Sequence, residues 1–505
     1  MQESYVGFRI QPDWDKAFSE KDSQIWIHEY EKNNTTYHKL CWDGEEFVPD
    51  TDSFSYSLKT PSVIQLRSKT RDLVKTFQSP DFTIRSEYSD DRQPRVHLTC
   101  MDIGPTGELG LAASSDKSVN LWETDTGHVR RTLDGHVGEV YSCRFFPSGL
   151  AALTAGADMQ LKIWCLLSGT CAATLAPGSA GAMTGTSPLD DYEPGGHRSG
   201  ILDTGIIQRG RNILAIDRLG WLRLWDVSTQ ICISGIPLIP NAARCPRSNC
   251  PVLEEATCLA VKKQRELPLC VGDVSEEHSS SWFHVLQTRS PRATEVGTSD
   301  AVVAVGMGSG ASVQLYELGA RTRGCVARFT LPHATGSIES CVFPQSIDQP
   351  PLNDEAAVRE WSCRDTTAFY EYAMYAGGQN GELCSWDLRF PKEPLMKLSG
   401  EKGAVQRLCA VELKDSHRVL LLVGRSDGRV QVYSYNPLRG SSLTKFEDHS
   451  ELVKSTLELT GINCEPIRGL IALPRAGGTD LSVWTGSFSG VFRFYQNLAT
   501  KAAFD

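Results

Sequence analysis

The chain has 505 residues, with 51 Lys and Arg against 61 Asp and Glu, a formal net charge of −10. This acidic balance leaves no electrostatic footprint for nucleic acid and favours a basic protein partner, and the longest aliphatic runs, such as Val419–Val423, are too short for a membrane span. No signal peptide is expected from Met1-Gln2-Glu3-Ser4, so the 16 scattered cysteines, among them Cys100, Cys143, Cys341 and Cys409, read as reduced thiols of a cytoplasmic or nuclear protein.

Residues 1–80 read as a small α+β appendage. Pro12–Phe18 opens a short helix, and Gln24–Tyr30 alternates as a strand pairing with Tyr37–Trp42 across Asn33-Asn34. Asp43-Gly44 is a second hairpin signal. From residue 97 the pattern repeats. The first unit, 97–136, holds strands at Leu98–Ile103, Gly110–Ser114, Val119–Trp122 and Val129–Leu133. The second, 137–175, holds Val140–Phe146, Ala151–Ala155, Leu161–Trp164 and Cys171–Leu175. A third spans 197–236. A fourth begins at Ala256, breaks, and resumes at Ala301. A fifth runs from Ser337 to Leu398, a sixth from Ala404 to Phe446, and the last from Ile467 to Tyr495. The polar or Pro-rich stretches near 176–196, 237–254, 263–298 and 344–365 read as inserts, because they cannot bury much apolar area.

Each unit carries an aromatic at its third strand: Trp122, Trp164, Trp225, Tyr316, Trp386, Tyr433 and Tyr495. Six residues earlier stand Asp116, Asp158, Asn380, Asp427 and Ser489, three of them followed by Gly381, Gly428 and Gly490. A polar residue and Gly between apolar runs mark a tight hairpin. A repeat of roughly 40–45 residues with four strands per unit marks a β-propeller. The last unit lacks a fourth strand, and Phe82–Tyr88 is the segment expected to supply it and remove the open edge. The expected organisation is therefore all-β: a seven-bladed propeller over 81–498, closed by 81–88, after the appendage.

Gly135-His136 and Gly196-His197 each lie 28 residues before their Trp. With these residues the chain resembles the WD-repeat family. That resemblance implies a buried hydrogen-bonded set of His, Ser or Thr, turn Asp and third-strand Trp in each blade. His136, Thr154, Asp158 and Trp164 match it fully; Asp116 with Trp122, His197 with Trp225, Trp386 and Asp427 match in part. The third unit departs, with Ala215 at the hydroxyl position and Leu219 at the turn Asp position. These His and Asp residues read as scaffold, since a catalytic set is needed once and not repeatedly, and a buried polar set rigidifies the fold.

The chain contains no G-x-S-x-G elbow, no phosphate loop with Lys and no H-E-x-x-H, so no enzyme activity and no cofactor are expected. Gly306–Gly310 is glycine-rich but falls at a blade turn. Cys245, Cys250 and Cys258, followed by Cys270 and His278, lack the two close pairs of a structural zinc site, and no metal is expected.

Further stretches resemble one family within the WD-repeat proteins, that of proteasomal ATPase-associated factor 1. They are Arg9-Ile10-Gln11-Pro12-Asp13-Trp14, Ser142–Leu150, and Gly200–Thr204 running on to Arg209–Asn212. Weaker echoes are Glu295–Thr298 and Leu459–Gly461, in the same order along the chain. The resemblance implies an assembly chaperone with a small N-terminal domain and a propeller. Such a protein binds the C-terminal domain of an ATPase subunit of the proteasome regulatory particle base and restrains its docking on the core particle. A competing reading is a WD-repeat scaffold or substrate receptor of a ubiquitin ligase or chromatin complex.

Partner contacts are expected on the rim where outer-to-inner and second-to-third strand loops converge, through aromatic and Arg anchors. Trp221, Arg218 and Arg425 lie in or beside the turns; Glu139, Tyr141 and Asp203 follow the inner-strand entries and suit a basic tail. The protein is expected to act as a monomer.

Overall fold

The computed structural model describes residues 6–19, 23–31, 34–42, 47–69, 73–86, 96–176, 196–207, 210–238, 255–262, 301–318, 325–332, 336–346, 373–388, 394–398, 403–412, 419–435, 455–461, 464–474 and 480–498. The inserts expected near 176–196, 237–254, 263–298 and 344–365 lie almost wholly outside these residues. The strands from Leu98 onward form antiparallel blades in chain order, each hydrogen-bonded from inner to outer strand. The last blade begins at Ile467, and its sheet is completed by Phe82–Arg85 paired antiparallel to Val491–Phe494. The propeller's first and last strands thus meet in one sheet, and no blade is left with a free outer edge at that point.

The repeated aromatic has one physical job throughout. Trp164 packs in the apolar cluster between the first and second blades, and Trp225 in that between the second and third. Tyr316, Trp386, Tyr433 and Tyr495 repeat this against each preceding blade. Trp122 closes the ring, stacked 4.6 Å from Phe492 of the last blade. A large ring buried between sheets contributes roughly 1.5–3 kcal/mol of transfer free energy, which is why the third strand keeps an aromatic even where the turn residues have changed.

Polar links between inner strands tie the same blades together. Asp102 accepts from Phe145 N at 2.7 Å, Ser340 from Leu408 N at 3.1 Å, and Arg407 donates to Arg468 O at 3.0 Å. Each joins one blade to its successor.

The appendage is β-structure rather than α+β. Its helical part is the 3-10 helix Trp14–Ser19. The strands Val6–Ile10, Gln24–Glu31, Asn34–Trp42 and Phe47–Pro49 form one sheet, and Phe54–Thr60, Val63–Ser68 and Val74–Gln78 form part of another. Both share a core of Phe8, Trp14, Ile25, Ile27, Leu40, Phe54, Ile64 and Phe77. The Pro12–Phe18 segment is too short for an α-helix to offset its nucleation cost, and it closes as a 3-10 turn instead.

This unit is joined to the propeller by backbone. Thr76–Gln78 pairs in parallel with Leu457–Leu459, the outer strand of the sixth blade, so one sheet continues from blade to appendage. Lys75 Nζ meets Glu458 Oε2 at 2.5 Å, with both side chains almost fully buried. Trp14 Nε1 donates to Thr460 Oγ1 at 3.0 Å across the same seam.

Candidate partner-binding rim

The second blade shows how the rim is held. His136 Nδ1 lies 2.8 Å from Asp158 Oδ2, His136 Nε2 lies 2.7 Å from Thr154 Oγ1, and Trp164 Nε1 donates to Thr154 Oγ1 at 2.8 Å. Burial alone would raise the Asp158 carboxyl, but the His136 hydrogen bond and charge, with the Gln160 and Val137 backbone N–H groups, together hold it below the usual range. The chain from turn to third strand is therefore locked by one connected polar set.

In the first blade Asp116 caps its own turn, accepting from Ser114 Oγ at 2.5 Å and from Ser118 N at 3.0 Å. Trp122 Nε1 is buried without a hydrogen-bond partner, so this ring acts by packing. Asp427 of the sixth blade accepts from Arg429 Nε at 2.7 Å, a pairing that takes the place of the His–Asp contact. Trp386 is buried in the fifth blade against Phe329, ring centroids 5.6 Å apart.

The third blade corrects the sequence reading. Its turn carboxylate is present: Asp217 Oδ2 lies 2.8 Å from His197 Nδ1, and Asp217 Oδ1 accepts from Leu219 N at 3.1 Å and Trp221 N at 3.0 Å. Counting back from the aromatic points to Leu219, but a carboxylate at the end of the second strand reaches the same His. The hydroxyl is lost, as Ala215 suggests. His197 Nε2 and Trp225 Nε1 are both buried without a hydrogen-bond partner.

Two of the expected anchors are internal. Arg425 is fully buried; its Nε donates to Gln431 Oε1 at 2.7 Å and its Nη1 to Gly403 O at 2.9 Å and Gly381 O at 3.2 Å. It bridges the fifth and sixth blades and offers nothing to a rim partner. The turn it occupies resembles that of Arg218 in sequence, but its side chain has backbone carbonyls to satisfy within reach. Asp203 is half-buried and spans three blades, accepting from Arg144 Nη2 at 3.0 Å and Leu259 N at 2.9 Å.

The others stay near the surface. Arg218 is exposed, while its backbone N donates to Gly200 O at 3.0 Å. Trp221 is half-buried with the Arg223 guanidinium 5.1 Å from its ring centre, so it presents part of one face only. Glu139 and Tyr141 are half-buried, and Glu139 Oε1 lies 3.7 Å from His97 Nε2.

A further surface signal on the turns lies at residues that sequence reasoning does not single out. Val137 is 72% exposed, and Met159 and Leu219 are each 37% exposed. Val137 follows His136, Met159 follows Asp158, and Leu219 sits in the matching turn of the next blade. A Cβ at Gly200 would lie 3.3 Å from Ala157 Cα, so the turns of the second and third blades touch there. Three apolar side chains thus crown adjacent turns that the polar sets below hold rigid. Apolar residues in positions where turn chemistry favours polar ones are the available clue.

Of the cysteine cluster weighed for metal, Cys258 lies buried in the fourth blade, its Sγ 3.6 Å from Cys341 Sγ. Cys245, Cys250, Cys270 and His278 lie outside the described residues.

The WD domain, G-beta repeat family matches residues 92–123 and 127–165, the first two blades. The chain thus carries WD repeats in its first two blades and has the β-propeller fold. It is 32% identical over 151 residues to the human protein named proteasomal ATPase-associated factor 1, covering 28% of this chain and 36% of that one. A probable proteasomal ATPase-associated factor 1 from Dictyostelium discoideum is 31% identical over 155 residues, covering 29% of this chain and 34% of that one. The resemblance seen in the sequence is borne out by these relatives. The match spans about a third of their length. Protein tipD of the same organism is 36% identical over 78 residues, 15% of this chain and 13% of that one.

Proposed function

We propose that this protein is a non-catalytic binding factor that holds an ATPase subunit of the proteasome on the rim of its second and third blades. The observation that carries this reading is the exposed group Val137, Met159 and Leu219 on turns braced by His136–Asp158 and His197–Asp217. Exposed apolar groups ringed by polar residues mark protein interaction sites, and a braced rim loses little entropy on binding. The names of the relatives supply the partner class. On this reading the captured element is the C-terminal domain of the ATPase subunit, and holding it restrains docking of the ATPase ring on the core particle. Arg218, Glu139, Tyr141 and Trp221, which stand in the same turns or at the strand ends beside them, supply polar contacts to the partner on this reading. The protein works as a monomer in the cytoplasm and nucleus.

Pairwise pull-downs with the separate C-terminal domains of the proteasomal ATPases test this. One domain is expected to be retained, and the pair Val137→Asp with Leu219→Asp to reduce its retention by about tenfold or more without moving the thermal midpoint. Retention of none of the domains, or equal retention by the variant, would overturn it.

A further inference from the structure

Two pairs of cysteines occupy one recurring position in the propeller. Neighbouring inner strands meet there with the third residue of one against the fourth of the next. Ser142, third in Val140–Phe145, and Thr204, fourth in Ile201–Ile207, have hydroxyls 2.8 Å apart. Ser340, third in Ile338–Val342, accepts from the N–H of Leu408, fourth in Val405–Glu412. At the same place Cys258, third in Ala256–Val261, has its Sγ 3.6 Å from that of Cys341, fourth in Ile338–Val342. Cys100 and Cys143 repeat the pair between the first and second blades, joined by a thiol hydrogen bond.

The surroundings of the two pairs are built alike. Thr99 Oγ1 donates to Ala113 O at 3.0 Å, and Thr257 Oγ1 is shared between Gly306 O at 3.1 Å and Ile338 O. The residue before the first cysteine of each pair is thus tied to its own second strand. Gly306 stands opposite Cys258, and a Cβ there would lie 2.5 Å from the Cys258 Sγ, so glycine leaves that sulfur its room. All four thiols are free and buried. The partner thiol and burial push Cys143 and Cys341 well above the ordinary thiol range, so little thiolate is present and the pairs react slowly.

We propose that the two pairs are redox staples, each oxidised by a peroxide to a disulfide that ties the first blade to the second and the fourth to the fifth. One thiol of a pair attacks the peroxide, breaks its O–O bond, becomes a sulfenic acid and releases one water. The second sulfur then displaces the sulfenic hydroxyl, which leaves with the remaining thiol proton as another water, and the S–S bond forms. Two thiols have lost two protons and two electrons to one peroxide. The Cys258 and Cys341 sulfurs must close from 3.6 Å to about 2.0 Å, a change within reach of side-chain rotation and a small shift between blades. Each link constrains the unfolded chain, the more so because Cys258 and Cys341 stand 83 residues apart. The staples act on the ring itself and do not depend on what the rim holds.

The test treats the full chain with hydrogen peroxide well below its unfolding temperature, then reads alkylated, non-reduced peptide maps by mass spectrometry. Linked peptides joining Cys100 to Cys143 and Cys258 to Cys341 are expected. They should form more slowly than oxidation of the exposed Cys171 and Cys325, and be lost on adding dithiothreitol. The oxidised chain should unfold several degrees above the reduced one. Cys100→Ser with Cys258→Ser should fold, since Ser142 and Ser340 hold the same place in their strands, and should remove both links and the rise. Cys143→Ala with Cys341→Ala gives the same readout if the serine variant does not fold. Free thiols at a pair after Cys171 and Cys325 are oxidised would overturn the proposal for that pair. Linkages to other cysteines instead, or an equal rise in the variants, would overturn it for both.

Discussion

His197 Nδ1 lies 2.8 Å from Asp217 Oδ2, while His197 Nε2 faces no donor or acceptor. In the second blade the corresponding nitrogen of His136 meets Thr154, which also accepts from Trp164. Ala215 removes that hydroxyl from the third blade and leaves two buried polar atoms, on His197 and Trp225, unsatisfied. Ala215→Ser adds one oxygen between them. It is expected to raise unfolding stability by about 1–2 kcal/mol, since two buried groups gain partners. Thr154→Ala should cost about 1–3 kcal/mol by the reverse logic. Urea unfolding of both variants checks the pair; a destabilised Ala215→Ser would mean the site has no room for the hydroxyl.

The same His sets a pH dependence. Burial holds His197 below its ordinary value of 6.5, more strongly than Asp217 raises it. With the folded pKa depressed, the unfolded chain binds a proton first as pH falls. Stability from this group is then full above the unfolded value and declines as pH drops below about 6.5 towards the folded pKa. Thermal midpoints are expected to fall from about pH 7.5 to about pH 5.5, conditions that bracket this value. A His197→Gln chain should show a shallower fall over that range, and an unchanged slope would assign the acid sensitivity elsewhere.

Asp203 and Arg425 are expected to act on stability rather than capture. Asp203→Ala leaves Leu259 N and the Arg144 guanidinium without their acceptor. Arg425→Ala leaves Gly403 O and Gly381 O without their donor. Each substitution should lower unfolding stability by about 2–4 kcal/mol, because buried or half-buried partners are orphaned. Partner retention measured well below the unfolding temperature should stay near the parent's. Loss of retention with no loss of stability would return either residue to the rim.

What is legible in the sequence follows from how far apart the interacting residues lie. The propeller shows itself because each blade is built within a few tens of residues, and the third-strand aromatic recurs in every one. The set at His136, Thr154, Asp158 and Trp164 is legible for the same reason, its members falling within 28 residues of one another. Asp217 escapes because a fixed count from the aromatic cannot see that a neighbouring strand end reaches the same nitrogen. Asp203 reads as a surface anchor because its partners sit in other blades, with Leu259 56 residues away; Arg425 reads so because two of its acceptors are backbone carbonyls, of Gly403 and Gly381, which leave no side-chain signature. The seam between appendage and sixth blade joins Thr460 to Gln78, 382 residues apart, and parallel pairing over that distance leaves no local pattern. Val137, Met159 and Leu219 do not stand out because exposure is set by the closed ring and not by the residues alone.

That seam yields the last prediction. Lys75 and Glu458 form an ion pair with side chains only 6% exposed on each side, in strands that pair in parallel. Removing water from two charges costs several kcal/mol each, and their attraction offsets this only while both are present. Lys75→Met alone should therefore destabilise the chain by about 3–5 kcal/mol, leaving Glu458 buried and uncompensated. Glu458→Leu alone should do the same. Combining them removes both charges and should recover most of the loss, giving a coupling energy of at least about 2 kcal/mol in a double-mutant cycle. Because the pair bridges the appendage and the propeller, the single variants should also expose the seam to protease before the blades unfold. Additive single and double effects would show that the two charges do not act as a pair, and that backbone pairing and the Trp14–Thr460 bond hold the seam without them.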